Sequence, residues 1–233
     1  MQLIEKSWAG VRSAVYTLRK DGSGLEFVLF PMIHVGEESY YAEVRRRLAG
    51  CDLILAEGVR SKKVNLLTRS YRIVGKIRRM DLITQQEGLR LDGLPGHIIN
   101  TDIEGHVFDE QWSALPLWLR LQLTLLVPVY VVYLFFFGTR ELLAATMELD
   151  DLPSRDEVLM HDERWEPFDA LLVDERDRVL IRRIEELAQS NGSQRKVVGV
   201  LYGAGHMRHV TAFLLSKKGY RIAAAEWVTV FDL

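Results

Sequence analysis

Cysteine is almost absent from this sequence: Cys51 is the only one in 233 residues. A single thiol closes no internal disulfide and supplies no cysteine-based zinc site. It fits a reducing compartment, or a small hydrophobe at the start of a strand. Excess charge of either sign is also lacking, because 30 Lys and Arg stand against 32 Asp and Glu, for a formal net charge of −2. A generally basic nucleic-acid binder is therefore not expected. There is no P-loop and no G-x-G-x-x-G after a strand, so the common nucleotide-binding fingerprints are missing. No serine sits in a G-x-S-x-G context, which makes a serine hydrolase a poor reading. Residues 1–10 carry Glu5 and Lys6 and no apolar core of signal-peptide length, so the expected compartment is the cytoplasm.

What is present is ordinary for a folded chain: 48% hydrophobic and 27% charged residues, in a length that buries a sizeable core. The near-zero charge hides two blocks. Residues 58–80 hold eight Lys and Arg and no acid; residues 148–177 hold twelve acids and three Arg. Between them, Leu121 to Thr139 (LQLTLLVPVYVVYLFFFGT) is free of charge and bounded by Arg120 and Arg140. Nineteen residues is close to the ~20 that a spanning helix needs. Three readings are open for this run: a helix buried on a sheet, a surface or re-entrant element at the inner face of a membrane, or a homodimer contact. The basic block would suit anionic headgroups, or it is a solvated face that pairs with the acidic block.

The flanks read as α/β. Ala14–Leu18 and Glu26–Phe30 are β-rich runs around the turn cluster Asp21-Gly22-Ser23-Gly24, a plausible hairpin. A helix is expected from Glu37 to Ala49, with acids in its first turn, Arg45–Arg47 in its last and Gly50 as a stop. Leu53–Ala56 is a short buried strand, which completes a βαβ unit. The C-terminal part repeats the order: a helix over Val179–Gln189, a strand over Lys196–Tyr202, the glycine loop 203–205, a helix over His206–Ser216, a stop at Gly219 and a strand over Arg221–Val230. In each unit a strand delivers a histidine, His34 or His206, and a later strand ends on a glutamate, Glu57 or Glu226. The expected fold class is therefore α/β, with a mixed, largely parallel sheet from two related βαβ halves (1–58 and 179–233). Between them lies a mostly helical insertion (59–178) that includes a β-like piece at His97–Asp102. The whole chain reads as one domain.

Ligands of open parallel sheets bind beyond the carboxyl ends of the strands. His34, Glu57 and His206 all fall at such ends. Two imidazoles and a carboxylate suit Mn²⁺, Co²⁺, Zn²⁺ or Fe²⁺, and the loop of Gly203 and Gly205 lets backbone approach a ligand. Each residue also has a bland reading: a hydrogen-bonded structural histidine, a helix-capping glutamate, an ordinary glycine-rich turn. Glu226 reads as a surface carboxylate. His161 and His209 lie in polar stretches and read as solvated.

Four segments together resemble the TraB/PrgY family, which is grouped with Tiki proteases and with erythromycin esterase-like and ChaN-like proteins. They are Pro31-Met32-Ile33-His34-Val35-Gly36-Glu37-Glu38-Ser39, Leu55-Ala56-Glu57, Asp174-Glu175-Arg176-Asp177 and Tyr202-Gly203-Ala204-Gly205-His206-Met207. The family pattern has two G-x-x-H motifs, a glutamate after the second strand and an E-R-(N/D) element. The second G-x-x-H is intact here, whereas Pro31 stands where the first has its glycine. The resemblance implies metal-dependent hydrolysis of a peptide or small amide or ester. His34, Glu57 and His206 would hold the ion, Glu57 and Arg176 would be catalytic, and Gly203, Gly205 and Ser39 would line the substrate. Arg176 would clamp a carboxylate or an oxyanion, with Asp102, Glu104 and Asp177 as further candidates. The competing expectation is a non-catalytic, membrane-associated regulator that binds a pheromone-like peptide at a degraded site. A third is a metal-free hydrolase with histidine as general base.

Overall fold

The computed structural model describes residues 1–59, 61, 80–145, 173–190 and 195–233. Most of the basic block, most of the acidic block and His161 lie outside the described residues. The strands are β1 (Ile4–Ser7), β2 (Gly10–Arg19), β3 (Leu25–Met32), β4 (Val35–Gly36), β5 (Leu53–Ala56), β6 (Ile83–Thr84), β7 (His97–Asn100), β8 (Lys196–Gly203) and β9 (Arg221–Asp232). The described α-helices are α1 (Glu38–Leu48), α2 (Gln85–Gly88), α3 (Gly105–Ala114), α4 (Leu117–Phe137), α5 (Arg140–Ala144), α6 (Glu175–Ser190) and α7 (Met207–Ala212).

The expected mixed, largely parallel α/β sheet forms. β3, β8, β5 and β7 run parallel in that order, and β2 closes an antiparallel hairpin onto β3. β1 pairs Gly10–Ser13 of β2 and β3 pairs Tyr16–Leu18, while β9 pairs β2 from Gly10 to Arg19. Each strand residue has two edges, so β1 and β3 share one edge of β2 and β9 takes the other. β8 enters between β3 and β5, where Val200 is level with both Leu29 and Leu55. Its run VVGVLYG is buried from Val198 to Gly203, as a central parallel strand requires.

Two expectations about the second half are corrected. β9 does not end at the glutamate: it runs on to Asp232, and Glu226 lies mid-strand opposite Val15, exposed and ion-paired with Arg47 at 2.9 Å. The expected continuous helix from His206 is instead a 3₁₀ turn over Ala204–His206, α7, and a π-turn over Phe213–Lys217. The insertion also contributes β7 as an outer strand of the main sheet, in register with β5.

α1 fixes the exit of β3. Tyr40 and Tyr41 are buried, and their hydroxyls donate to the carbonyls of Pro31 (3.3 Å) and Ile33 (3.0 Å). A buried hydroxyl needs such a partner, so two tyrosines pin the backbone on either side of Met32 and hold the loop that carries His34. Cys51 is buried as a hydrophobe, and burial pushes its thiol up to about 11.

The apolar run forms α4, and it is not a buried helix. Only 19% of its apolar window is buried. Leu119 and Leu123 join Phe108, Trp112 and Leu115 in a small cluster, and Leu134 joins the main core.

Candidate functional site

The four parallel strands all deliver polar residues past the same edge. His34 follows β3, Glu57 follows β5, Asp102 follows β7, and His206 lies in the turn after β8. α6 supplies Arg176 and Asp177 from its first turn.

A guanidinium lies at the centre. Arg176 donates from Nε to Asp102 Oδ1 (2.8 Å), and from Nη2 to both Asp102 Oδ2 (2.6 Å) and Glu57 Oε1 (2.5 Å). The Asp102 side chain is fully buried, and it also accepts from the Gly58 N–H at 3.0 Å. Glu57 Oε2 accepts from the Gly203 N–H at 2.6 Å. A Cβ at position 203 would lie 3.3 Å from Glu57 Oε2, so Glu57 would have to give by a few tenths of an ångström. Position 205 faces open space, with nothing within 4 Å of a Cβ built there.

Burial pushes the Glu57 carboxyl upward, but Arg176, His206, His34 and the Gly203 N–H together outweigh it. Glu57 therefore titrates below its usual range. Burial works against the Arg176 charge as well, and the two carboxylates reverse that, so the guanidinium is held cationic.

Asp177 organises the histidines. It is buried, and its Oδ1 takes His206 Nδ1 at 2.7 Å while Oδ2 takes His209 Nδ1 at 2.5 Å. A carboxylate accepts, so Nδ1 of His206 carries the proton and Nε2 is the basic nitrogen. Nε2 faces Glu57 Oε1 at 3.8 Å, and the ring stands edge-on to Tyr202, 5.5 Å between centroids. The Tyr202 hydroxyl is tied to Thr101 Oγ1 at 3.0 Å. At His34, Gln85 Oε1 takes Nδ1 at 3.1 Å, and the Gln85 N–H bonds the His34 carbonyl at 2.8 Å. His34 is close enough for its charge to act on Glu57.

The structure thus gathers His34, Glu57, Arg176, Gly203 and His206 at one sheet edge, with Gly205 in the same turn. Ser39 is elsewhere: its hydroxyl donates to Glu37 (3.4 Å), which in turn pairs with Arg140 at 2.7 Å. Glu104 is exposed and pairs with His106. Arg176 is only 11% exposed and bonded to two carboxylates, so it orders Glu57 instead of presenting a clamp to substrate. His209, read from sequence as solvated, is half-exposed but bonded to Asp177. Its spacing of three residues from His206 is the signal that would have found it, since i and i+3 share a helix face. Nothing in the sequence marks Gln85.

A shared divalent ion would need His34, Glu57 and His206 to point donors at one position. Among the described residues, no three His, Cys, Asp or Glu side chains are so placed. The local reason is that both Glu57 oxygens are engaged, one of them by a guanidinium. As arranged, Glu57 is held by Arg176 and the Gly203 N–H and His206 by Asp177, and the chemistry derived from them is that of the side chains.

Comparison with protein-family models, with curated proteins and with solved structures finds no match to this chain.

Proposed function

We propose that this chain is a hydrolase of the TraB/Tiki type, cleaving a peptide or a small amide or ester with a water molecule. The observation that carries the reading is the His206–Asp177 pair. A buried carboxylate fixes the imidazole tautomer and leaves Nε2 basic, facing an ionised Glu57. His206 Nε2 takes the proton from water as the water adds to the substrate carbonyl, and then returns it to the leaving group. Asp177 and Glu57 stabilise the imidazolium formed in between. Arg176 keeps Glu57 anionic and in place. His34 follows the neighbouring strand at the same sheet edge, and a Cβ built at Gly205 meets nothing within 4 Å.

A second reading is the metal-dependent form of the same hydrolysis, in which His34, Glu57 and His206 would hold a divalent ion, which would supply Lewis-acid activation of a water. It is favoured by the fixing of both imidazoles through Nδ1, by Gln85 and Asp177, which is how metal-bound histidines are commonly oriented. In that form Glu57 must release Arg176.

A peptide library incubated with wild type and His206→Gln, with chelator or with added Mn²⁺, Co²⁺ or Zn²⁺, separates these readings. Cleavage that survives chelation and is lost in His206→Gln supports the first. Cleavage that needs the ion, with metal content lost in His34→Ala/His206→Ala, supports the second. Peptide binding without cleavage under every condition overturns both and leaves a non-catalytic, pheromone-like peptide binder.

A further inference from the structure

We propose that α4 docks the protein on a lipid bilayer, lying in the plane of the membrane surface without crossing it. The helix has 21 residues, about 31 Å at 1.5 Å per residue. No charged residue occurs from Leu121 to Phe137. Trp118, Leu121, Leu125, Val129 and Val132 are all exposed, and successive helical residues lie about 100° apart. These five therefore form one outward stripe, opposite the buried Leu119, Leu123 and Leu134.

Exposed apolar residues continue on both sides of the stripe, through Leu126 and Tyr133 on one flank and Leu117 on the other. Together they cover about half of the circumference. A second helix would need only the narrow stripe of a paired seam, whereas a lipid surface meets the full outward arc. The arc carries one amide, that of the half-buried Gln122, and at its margin the Thr124 hydroxyl is spent on the Arg120 carbonyl at 2.7 Å. That is how a polar side chain is satisfied without water.

Both ends of α4 are tied to the same body, which rules out crossing. The first turns pack with Phe108 and Trp112, in the cluster that Val179 of α6 touches. After the last turn, Arg140 donates to the carbonyls of Met80 and Asp232 and to Glu37, and Leu143 and Ala144 enter the main core. A crossing helix would put Glu37 and Val179 on opposite sides of the bilayer. By length and composition α4 could span a bilayer; the attachment of both its ends is what keeps it in the plane, with its outward face at the headgroup boundary and the sheet in water.

The test is co-sedimentation of the full chain with vesicles of phosphatidylcholine, and of phosphatidylcholine mixed with phosphatidylserine. It uses wild type and Leu121→Glu/Leu125→Glu/Val129→Glu. All three positions are solvent-exposed, so the variant keeps its core, checked by an unchanged circular dichroism spectrum. Wild type is expected to sediment with both vesicles and the variant to partition about tenfold or more weakly. Wild type that stays in the supernatant overturns the proposal, as does a variant that sediments equally well. A wild-type dimer that ignores vesicles, and that the variant converts to monomer, assigns the face to a second copy instead.

Discussion

Replacing Arg176 by methionine removes a charge from between two carboxylates and keeps most of the volume. In the wild type three hydrogen bonds of 2.5–2.8 Å join Arg176 to Asp102 and Glu57, and all three side chains are largely buried. Removing one partner of a buried ion pair costs about 3–5 kcal/mol, because the other charge stays desolvated. Protonation limits this loss. Placing a proton on a carboxyl whose ordinary pKa is ~4.3 costs about 4 kcal/mol at pH 7 and about 1 kcal/mol at pH 5. The variant can take that route once Arg176 no longer holds Glu57 ionised.

The signs follow from this. In the wild type Glu57 titrates below its unfolded value, so its contribution is complete above ~4.3 and is lost only as pH falls through the folded value. Wild-type stability from this group is therefore flat between pH 7 and 5. In Arg176→Met the folded state binds the proton more tightly than the unfolded state, so its stability rises as pH falls over that window. Urea unfolding followed by tryptophan fluorescence should show a deficit of about 3–4 kcal/mol at pH 7, shrinking by about 3 kcal/mol at pH 5. A deficit under about 1 kcal/mol at pH 7, or one of equal size at both pH values, refutes the buried pairing.

Three further outcomes follow from the same contacts. Asp177→Asn removes the charge that fixes His206 Nδ1–H, and hydrolysis should fall by about 10²–10⁴-fold in steady-state assays while the fold is retained. Gly203→Ala brings a Cβ to 3.3 Å from Glu57 Oε2 and should cost about 1–2 kcal/mol in chemical denaturation, whereas Gly205→Ala, built into open space, should stay within about 0.5 kcal/mol. Gly10→Ala should be strongly damaging. Its φ is +146° and its Cβ would lie 2.4 Å from the Phe231 carbonyl, so thermal unfolding should drop by several degrees as the β2–β9 pairing is pushed apart.

The hairpin, the parallel strands and α1 could be read from sequence because their signals are local: alternation around Asp21–Gly24, a continuous apolar run in β8, acids before arginines in α1. Strand ends alone mark three members of the candidate site, and Arg176 enters only through the family resemblance. His34, Glu57 and His206 each follow a strand, and strand ends are where parallel sheets present ligands. What binds them together was not readable. Arg176 meets Glu57 across 119 residues of sequence and Asp102 across 74, and Gly203 reaches Glu57 across 146. No periodicity encodes such pairings. They follow from β8 inserting between β3 and β5, an order that composition does not dictate.

That insertion also resolves the apolar run. The sequence leaves it between buried helix, membrane element and dimer contact; because the run lies between Glu57 and His206 in the chain, a single crossing would separate His34 and Glu57 from His206. With β8 paired to both β3 and β5, the three residues share one sheet edge on one side of any membrane. On that same body α4 keeps its exposed apolar arc. A lipid surface that covers it leaves the Glu57–Arg176–Asp102 network intact, because that network draws only on β5, β7 and α6. Loss of vesicle binding and loss of hydrolysis are thus expected to be separable by substitution, the first in α4 and the second at His206 or Asp177. A variant of Leu125 or Val129 that abolished hydrolysis of a soluble peptide would break that separation, and with it the placement of the site on the sheet alone.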